Sequence, residues 1–327
     1  MDAVMGIDGG GTYTRVAITD MDGNLLSYVN FNGGANAHKD PSAKENVSRA
    51  IYEALIMAGC KFDNIVGLTA GIAGYDKESD LAWIRELTNI NGLHCPIRHI
   101  NDAVAANVGA FLFKPGIVAI SGTGSIVYGI TEKSRHIRNY DFGPYLSTAA
   151  RFLSFEVVQR IIVGEANHTD ANLVNTVFEY FGVTDVTSLA NAYLQICTKS
   201  KVQRDKIFGD LAPEITKAIA QGSRLAKKTC TIIATNIVTG IKLVGAYFES
   251  GSVLVALVGA VAGNAFIAEK VAKLLLAKGN NRQYALVKPA APPVLGAVIM
   301  AMRDYRPELG EGFLANICNT ENMRILS

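Results

Sequence analysis

One local pattern occurs twice along the chain, first at its start and again well before its middle. In each copy a short apolar run ends in a polar residue, a glycine-rich turn follows, and a second apolar run begins; the copies span residues 4–19 and 117–131. Apolar runs bounded by glycines are typical of buried strands joined by a tight turn. Because the repeat restores all the parts in the same order, it indicates a duplicated domain. We therefore expect an N-terminal domain of residues 1–115 and a C-terminal domain of residues 116–327.

Outside the two copies, runs with strand spacing alternate with runs of helical spacing, which predicts an α/β fold with a partly parallel sheet. The second half is predicted to be mostly helical from Ser147 to Phe248, with one break at Pro213. The last predicted helix, from Pro293 to Tyr305, is a candidate to pack back on the N-terminal domain.

The composition argues against several classes of protein. The 31 Lys and Arg residues nearly balance the 29 Asp and Glu residues, which disfavours a nucleic-acid binder. The five cysteines form no CxxC pair and the five histidines show no zinc-binding spacing, so we expect a cytoplasmic protein without a thiolate metal site. The charge-free stretch from Ser252 to Ala268 is interrupted by Gly259 and Gly263, and it fits a strand, a turn and a helix better than a membrane span. The first residues do not form the pattern of a signal peptide.

The two glycine-rich turns are candidate phosphate-binding loops. In residues 8–12 three consecutive glycines allow backbone N–H groups to approach a ligand closely, and a phosphate is the ligand that best uses several converging amides. Asp8, at the end of the first strand, is a candidate to bind Mg²⁺ through water, and the Thr12 hydroxyl to reach a phosphate oxygen. Residues 121–125 repeat this arrangement, so two facing domains would hold adjacent phosphates of one nucleotide. The alternative is that each run is an ordinary tight turn.

Asp102 is the candidate catalytic residue. It follows the apolar strand predicted at Ile97–Asn101 and precedes a helix of small residues, which places its carboxylate at the carboxyl end of a strand. Open α/β sheets bind their ligands at that edge, and phosphoryl transfer needs a group that accepts the proton of the attacking hydroxyl. The alternative is that Asp102 only caps the helix.

Six sequence blocks occur in an order that is typical of one family. They are IDGGGT at 7–12, AGIAGYD at 70–76, NDAVAA at 101–106, SGTGS at 121–125, LVGAVAGN at 257–264 and PPVLGAV at 292–298. On these blocks the chain resembles, over nearly its whole length, the N-acetylglucosamine kinase branch of the BadF/BadG/BcrA/BcrD ATPase family. The resemblance implies two actin-like, ribonuclease H-like domains around a nucleotide cleft, with ATP and Mg²⁺ as cofactors. It also implies phosphate transfer to an amino sugar, N-acetylglucosamine or a close relative, at its 6-hydroxyl.

The resemblance assigns roles to individual residues. Those at the γ-phosphate would be Gly10, Gly11 and Thr12. Those at the β-phosphate would be Gly122, Thr123 and Gly124, and those near the adenosine Gly259 and Ala260, where relatives usually carry two glycines. The sugar would contact Asn36, Ala73, Gly74 and Asp102, the last of which would be the catalytic base. The resemblance also raises the expectation of a homodimer.

One segment departs from the family pattern. Residues 141–151 stand where relatives read close to GWGxxLGDEGS and use an acid to bind sugar hydroxyls; Thr148 and Ala149 replace the acids, and Arg151 adds a positive charge. Losing such a hydrogen bond costs about 1.5–3 kcal/mol, so we expect weak binding of neutral sugars and a relative gain for acidic ones. The alternative is that a nearby acid such as Glu156 takes over.

Two other functions are consistent with the same loops. The family also contains ATPases that activate a dehydratase through a shared iron–sulfur cluster, but those carry a cysteine beside the second loop, where this chain has Ser121. The other alternative is a sugar and nucleotide sensor without turnover.

Overall fold

The structure is a computed structural model that describes residues 1–143, 146–319 and 322. The chain divides into two compact units. One comprises Met1–Val118, Tyr128–Arg135 and the segment from Val287 onward, and the other comprises Ala119–Val127 and His136–Leu286.

The strands form two five-stranded sheets. In chain order they are β1 (Ala3–Gly9), β2 (Thr14–Asp20), β3 (Leu25–Phe31), β4 (Ile65–Ile72), β5 (Ile97–Asn101), β6 (Gly116–Ser121), β7 (Ser125–Ile130), β8 (His136–Arg138), β9 (Ser252–Val258) and β10 (Gln283–Leu286). The first sheet has the order β3-β2-β1-β4-β5 and the second the order β10-β9-β6-β7-β8. In the first sheet β1 pairs antiparallel with β2 and parallel with β4, which in turn pairs parallel with β5. The first sheet is therefore mixed.

The described residues also form the following α-helices: α1 (Ala43–Ala58), α2 (Leu81–Thr88), α3 (Asp102–Phe111), α4 (Ala150–Ile162), α5 (Ala171–Phe181), α6 (Val186–Cys197), α7 (Lys201–Ala220), α8 (Arg224–Gly245), α9 (Ala265–Leu275), α10 (Pro293–Tyr305) and α11 (Glu311–Ile317). No helix in this part of the chain is long and apolar enough to cross a membrane. The charge-free stretch that begins at Ser252 forms β9, a turn and the start of α9.

The first sheet is covered on both faces, because β1 alternates its side chains between two cores. Met5 and Ile7 belong to a core with α1 and α2, whereas Val4 belongs to a core with α10. On the α10 side, a Cβ at Gly6 would lie 2.5 Å from the carbonyl oxygen of Val294. The absence of a side chain at Gly6 therefore lets α10 pack directly on the strand that leads to Asp8.

Two predictions about the helices are wrong. Pro213 does not break the helical region but lies inside α7, where Phe208, Leu211 and Ile215 are buried on either side of it. This burial outweighs the single hydrogen bond that a proline removes from a helix. The helix from Pro293 to Tyr305 has the predicted bounds but is not the last, because α11 follows and buries Phe313.

Candidate functional site

Strand register brings two acidic residues to one edge of the first sheet. Asp8 on β1 is paired with Gly71 on β4, and Ile72 is paired with Asn101 at the end of β5. Since these three strands are parallel, their carboxyl ends meet at the same edge, and Asp102 follows directly as the first residue of α3. Asp8 and Asp102 are close enough for the charge of one to affect the pKa of the other.

Gly71 allows α3 to begin at this edge. A Cβ at Gly71 would lie 3.0 Å from the Cβ of Ala105 and 3.6 Å from the Cα of Asp102. A larger side chain at this position would push the first turn of α3 away from β4. The small residues that follow Asp102 thus serve close packing between strand and helix.

Asn101 fulfils the capping role that was the alternative for Asp102. Its Oδ1 accepts a hydrogen bond from the backbone N–H of Ala103 at 2.9 Å, and its extended backbone is that of an N-cap residue. Its Nδ2 donates to the carbonyl oxygen of Tyr75 at 3.0 Å. Asp102 Oδ1 also accepts from Ala103 N–H, at 3.0 Å, but α3 is capped without it.

The environment of Asp102 raises its pKa to about 7. Burial is the largest cause, and the negative charges of Asp8 and Asp76 act in the same direction. The hydrogen bond from Ala103 N–H and the positive charge of Lys39 oppose the rise. A carboxyl group with a pKa near neutrality is suited to accept and release a proton at physiological pH.

Asp8 is buried and forms an ion pair with Arg15. The distance from Arg15 Nη1 to Asp8 Oδ2 is 3.2 Å, across the directly opposed residues of β1 and β2. Burial raises the pKa of Asp8, and the Arg15 guanidinium works against this rise. Arg15 therefore favours the ionised form of a carboxylate that would otherwise tend to take up a proton.

The first glycine loop is bonded to both segments that were predicted to contact the sugar. Gly10 accepts a hydrogen bond from Ala35 N–H at 3.0 Å, and Gly9 accepts one from Ala73 N–H at 2.8 Å. A Cβ at Gly34 would lie 2.6 Å from the Gly11 carbonyl oxygen, so the two loops are in close contact. The loop of residues 9–13 and the predicted sugar segments form one backbone cluster.

Asn36 connects these two segments to each other. It is buried, and its Nδ2 donates to the carbonyl oxygen of Ala73 at 2.8 Å while its Oδ1 accepts from His38 N–H at 3.0 Å. Gly74 has φ +91°, a conformation that strongly favours glycine, and lies against the Asn36 amide. Asn36, Ala73 and Gly74 are thus brought together as the sequence predicted, and the Asn36 side chain holds the loops in place.

The second glycine loop is fixed by the buried residue Ser121. Its carbonyl oxygen accepts hydrogen bonds from Val261 N–H at 2.9 Å and Ala262 N–H at 3.1 Å. Gly259 has φ +95°, and a Cβ there would lie 2.5 Å from the same oxygen. The segment of Gly259 and Ala260, predicted to approach the adenosine, is consequently held against the loop of residues 122–124.

The segment that departs from the family pattern supports this second loop. In this chain the side chains of Thr148 and Ala149 are buried. The Thr148 carbonyl oxygen accepts a hydrogen bond from the Ser121 hydroxyl, and the Ala150 N–H donates one to the Gly122 carbonyl oxygen at 2.8 Å. Pro144 and Tyr145 of the same segment lie outside the described residues.

Arg151 of this segment and the nearby acid Glu156 both have partners within the second unit. Glu156, the alternative acid, is paired with Arg160 at 2.9 Å on the same helix. The Arg151 guanidinium has partners in the same unit, because its Nε lies 3.4 Å from Asp205 Oδ2 and its Nη1 lies 3.5 Å from the Thr123 carbonyl oxygen. The positive charge of Arg151 therefore lies beside the second glycine loop.

Sequence reasoning missed Asn101 and Arg15. Asn101 could have been found, because asparagine before a helix of small residues is a favoured N-cap. The pairing of Arg15 with Asp8 depends on the register of the β1–β2 hairpin. The glycine-rich turn between the two strands does not specify that register by itself.

Solved structures that are described as sugar kinases share this α/β fold. A solved structure from Chromobacterium violaceum, provisionally described as an N-acetylglucosamine kinase, has a TM-score of 0.70 to this chain at 19% identity, covering 92% of this chain and 99% of that one. The sequence profile of the BadF/BadG/BcrA/BcrD ATPase family matches residues 5–301. The chain belongs to this family, which confirms the resemblance and the predicted α/β fold.

Two curated relatives are sugar kinases. The N-acetylmuramic acid/N-acetylglucosamine kinase of Clostridium acetobutylicum is 36% identical over 148 residues, which is 44% of this chain and only 47% of that protein. The glucosamine kinase GspK of Vibrio cholerae is 25% identical over 312 residues, which is 92% of this chain and 96% of that protein.

Proposed function

We propose that the chain is an ATP-dependent carbohydrate kinase that phosphorylates an N-acetylated amino sugar. The observation that carries this proposal is the position of Asp102, a carboxyl group with a pKa of about 7 at the carboxyl edge of a parallel β-sheet. The backbone cluster of the first glycine loop, Asn36 and Ala73 lies at the same edge. The kinases among its relatives support the same class of reaction.

In this reaction the oxygen of a sugar hydroxyl attacks the γ-phosphorus of ATP. A new O–P bond forms, the bond from the γ-phosphorus to the bridging oxygen breaks, and ADP leaves with that electron pair. Asp102 accepts the proton of the attacking hydroxyl, and it returns this proton to solvent before the next cycle. The backbone N–H of Gly11 and the Thr12 hydroxyl bind the transferred phosphate, and the N–H groups of Thr123 and Gly124 bind the neighbouring one. The N–H groups of Gly10 and Gly122 hold the two turns closed, because they donate to the carbonyl oxygens of Tyr13 and Gly124 at 2.9 Å each. Gly259 and Ala260 contact the adenosine.

The acidic residues fit the Mg²⁺ that accompanies ATP. Asp8 and Asp102 repel each other, and a cation beside them would relieve this repulsion. Because Asp8 is already paired with Arg15, contact through water fits better than direct ligation. Among the described residues no group of three His, Cys, Asp or Glu is placed to hold a metal, which suits Mg²⁺, since it is commonly bound by one or two carboxylates, waters and substrate phosphates. When bound, Mg²⁺ neutralises phosphate charge.

The acceptor is proposed to be N-acetylglucosamine or N-acetylmuramic acid, with the 6-hydroxyl as the attacking group. Both sugars appear in the name of the relative that is 36% identical over part of this chain. Asn36 is the proposed side-chain contact to the sugar, since one of its two Nδ2 hydrogens is already used in the bond to Ala73 and the other can be donated. Ala73 and Gly74 are proposed to line the acceptor site.

The proposal is tested by measuring ADP release from the full chain with MgATP against a panel of sugars. We expect turnover with N-acetylglucosamine, N-acetylmuramic acid or both, and a phosphorylated product by ³¹P NMR. Glucose and glucosamine serve as comparison sugars that lack the N-acetyl group. ATP binding without a phosphorylated product from any sugar would contradict the kinase and favour a sensor.

A further inference from the structure

Arg151 is an unusual residue for its place in the fold. It is in the first turn of α4, after the N-cap Ala149, and this turn contains no acidic residue. The N-terminus of a helix carries a partial positive charge, so a cation there is unfavourable by about 0.3–1 kcal/mol. The helix end and the guanidinium together leave an excess of positive charge beside the loop of residues 122–124.

The partners of Arg151 leave it able to bind a further anion. Its side chain is mostly buried, its guanidinium carbon lies 4.5 Å from the centre of the Phe152 ring, and Nη1 points to the Thr123 carbonyl. Its ion-pair partner Asp205 also pairs with Lys201, whose Nζ is 2.6 Å from the same Asp205 oxygen. If Arg151 turned from Asp205 to a new anion, Asp205 would keep a cationic partner.

We propose that Arg151 binds a phosphate group of the nucleotide held at the second glycine loop. This inference rests on the proposed function, because that function places a nucleotide phosphate at residues 122–124. Arginine suits the role, since its planar guanidinium can donate two parallel hydrogen bonds to phosphate oxygens.

The test compares the binding of ATP, ADP and adenosine to the full chain by isothermal titration calorimetry, without sugar. Arg151→Gln removes the charge and Arg151→Lys keeps it. Lys206→Gln is a matched control that removes an exposed charge from α7, where Lys206 pairs with Asp210 at the surface. We expect Arg151→Gln to weaken ATP and ADP binding about ten- to a hundredfold, the cost of a lost charge-assisted hydrogen bond. The affinity of Arg151→Gln for adenosine should equal that of the parent. The ATP affinity of Arg151→Lys should lie between those of the parent and Arg151→Gln, and the ATP affinity of Lys206→Gln should equal that of the parent.

Asp205→Asn gives a second, independent readout. It releases Arg151 from its ion pair, so ATP affinity should be unchanged or increase, whereas a purely structural ion pair would make Asp205→Asn as damaging as Arg151→Gln. Equal ATP affinity of Arg151→Gln and the parent would overturn the inference, as would an equal loss for adenosine and ATP. If Arg151→Gln did not fold, the affinities of Arg151→Lys and Asp205→Asn for ATP and adenosine would test the inference in the same way. A parent chain that binds ATP but phosphorylates no sugar would contradict the proposed kinase alone; a parent that binds no nucleotide would contradict both.

Discussion

The negative charge of Asp8 raises the pKa of Asp102, and only burial contributes more to bringing it to about 7. The two carboxyl groups belong to separate parts of the sequence, and the parallel pairing of β1, β4 and β5 brings them to one edge of the sheet. Asp8 stays beside a cation because Arg15 is directly opposite on β2. Asp8 is thus held near an arginine, while the pKa of Asp102 is raised into the range that suits proton transfer.

The first prediction concerns pH. A base must be ionised to act, so kcat/KM for the sugar should rise as the pH increases through about 7 and then level off. Asp8→Asn removes a charge that raises the pKa of Asp102, so the midpoint of this profile should move to lower pH even where the rate itself falls. Rates measured between pH 5 and 9 on both proteins, at saturating ATP, test this. An unchanged midpoint in Asp8→Asn would show that another group controls the profile.

The second prediction concerns stability. Because the pKa of Asp102 rises from 3.8 to about 7 on folding, ionising it in the folded protein costs free energy, and this cost grows as the pH rises from about 4 to about 7. At ~1.4 kcal/mol per pH unit the cost is at most about 4 kcal/mol. Asp102→Asn should therefore melt several degrees higher than the parent at pH 8 and close to it near pH 4. A melting difference that does not depend on pH would contradict the raised pKa.

The third prediction concerns Asn101, which both caps α3 and donates a hydrogen bond to the Tyr75 carbonyl oxygen. Two variants at this position separate these roles. Asn101→Ser retains a favoured capping group but loses the donor to the Tyr75 carbonyl, whereas Asn101→Ala loses both. Urea unfolding should show Asn101→Ala to be about 1 kcal/mol less stable than Asn101→Ser, the usual value of an N-cap. Both variants should raise KM for the sugar, since Tyr75 belongs to the loop that contains Ala73 and Gly74. A normal KM in Asn101→Ser would show that the Tyr75 bond does not position the sugar loop.

Gly124 tests the second loop. A Cβ at this position meets nothing within 4 Å, so Gly124→Val should fold with the melting temperature of the parent. Its side chain should nevertheless block a phosphate from approaching the backbone, and ATP binding should be lost. Gly251→Val is the matched control, because a Cβ there is equally unhindered and lies outside both glycine loops. Tight ATP binding by folded Gly124→Val would contradict the phosphate role of this loop.

Much of the first sheet was predictable because glycine, proline or polar residues mark the ends of its strands. The bounds of β5 and α10 agree with the prediction, since proline or polar residues flank them. Local signals failed where distant packing decided the outcome. Pro213 is itself exposed, but it lies inside α7 because Phe208, Leu211 and Ile215 are buried on either side of it. The spacing of Ser42 and Glu45 is typical of a capping box, but Ser42 makes no side-chain capping bond to α1.

In the candidate site, too, local sequence patterns identify some residues, whereas distant packing determines the contacts between them. Asp8, Asp102 and the glycine loops stand out in the sequence because each lies at or just after the end of a predicted strand. The contacts that tune them depend on residues far apart in the chain. The Asn36 bond to Ala73, the Arg15 pair with Asp8 and the approach of Arg151 to Thr123 arise only when strands and loops have their final register. No local pattern in the sequence specifies those distances.

The most direct test of the central claim is the turnover of Asp102→Asn with the preferred sugar. Asparagine has nearly the shape of aspartate but cannot accept the proton of the hydroxyl, so kcat should fall about a hundredfold or more. The ATP dissociation constant should stay close to that of the parent, because the nucleotide contacts are proposed to lie in the glycine loops. A kcat within a few-fold of the parent, with ATP binding intact, would contradict the assignment of Asp102 as the catalytic base.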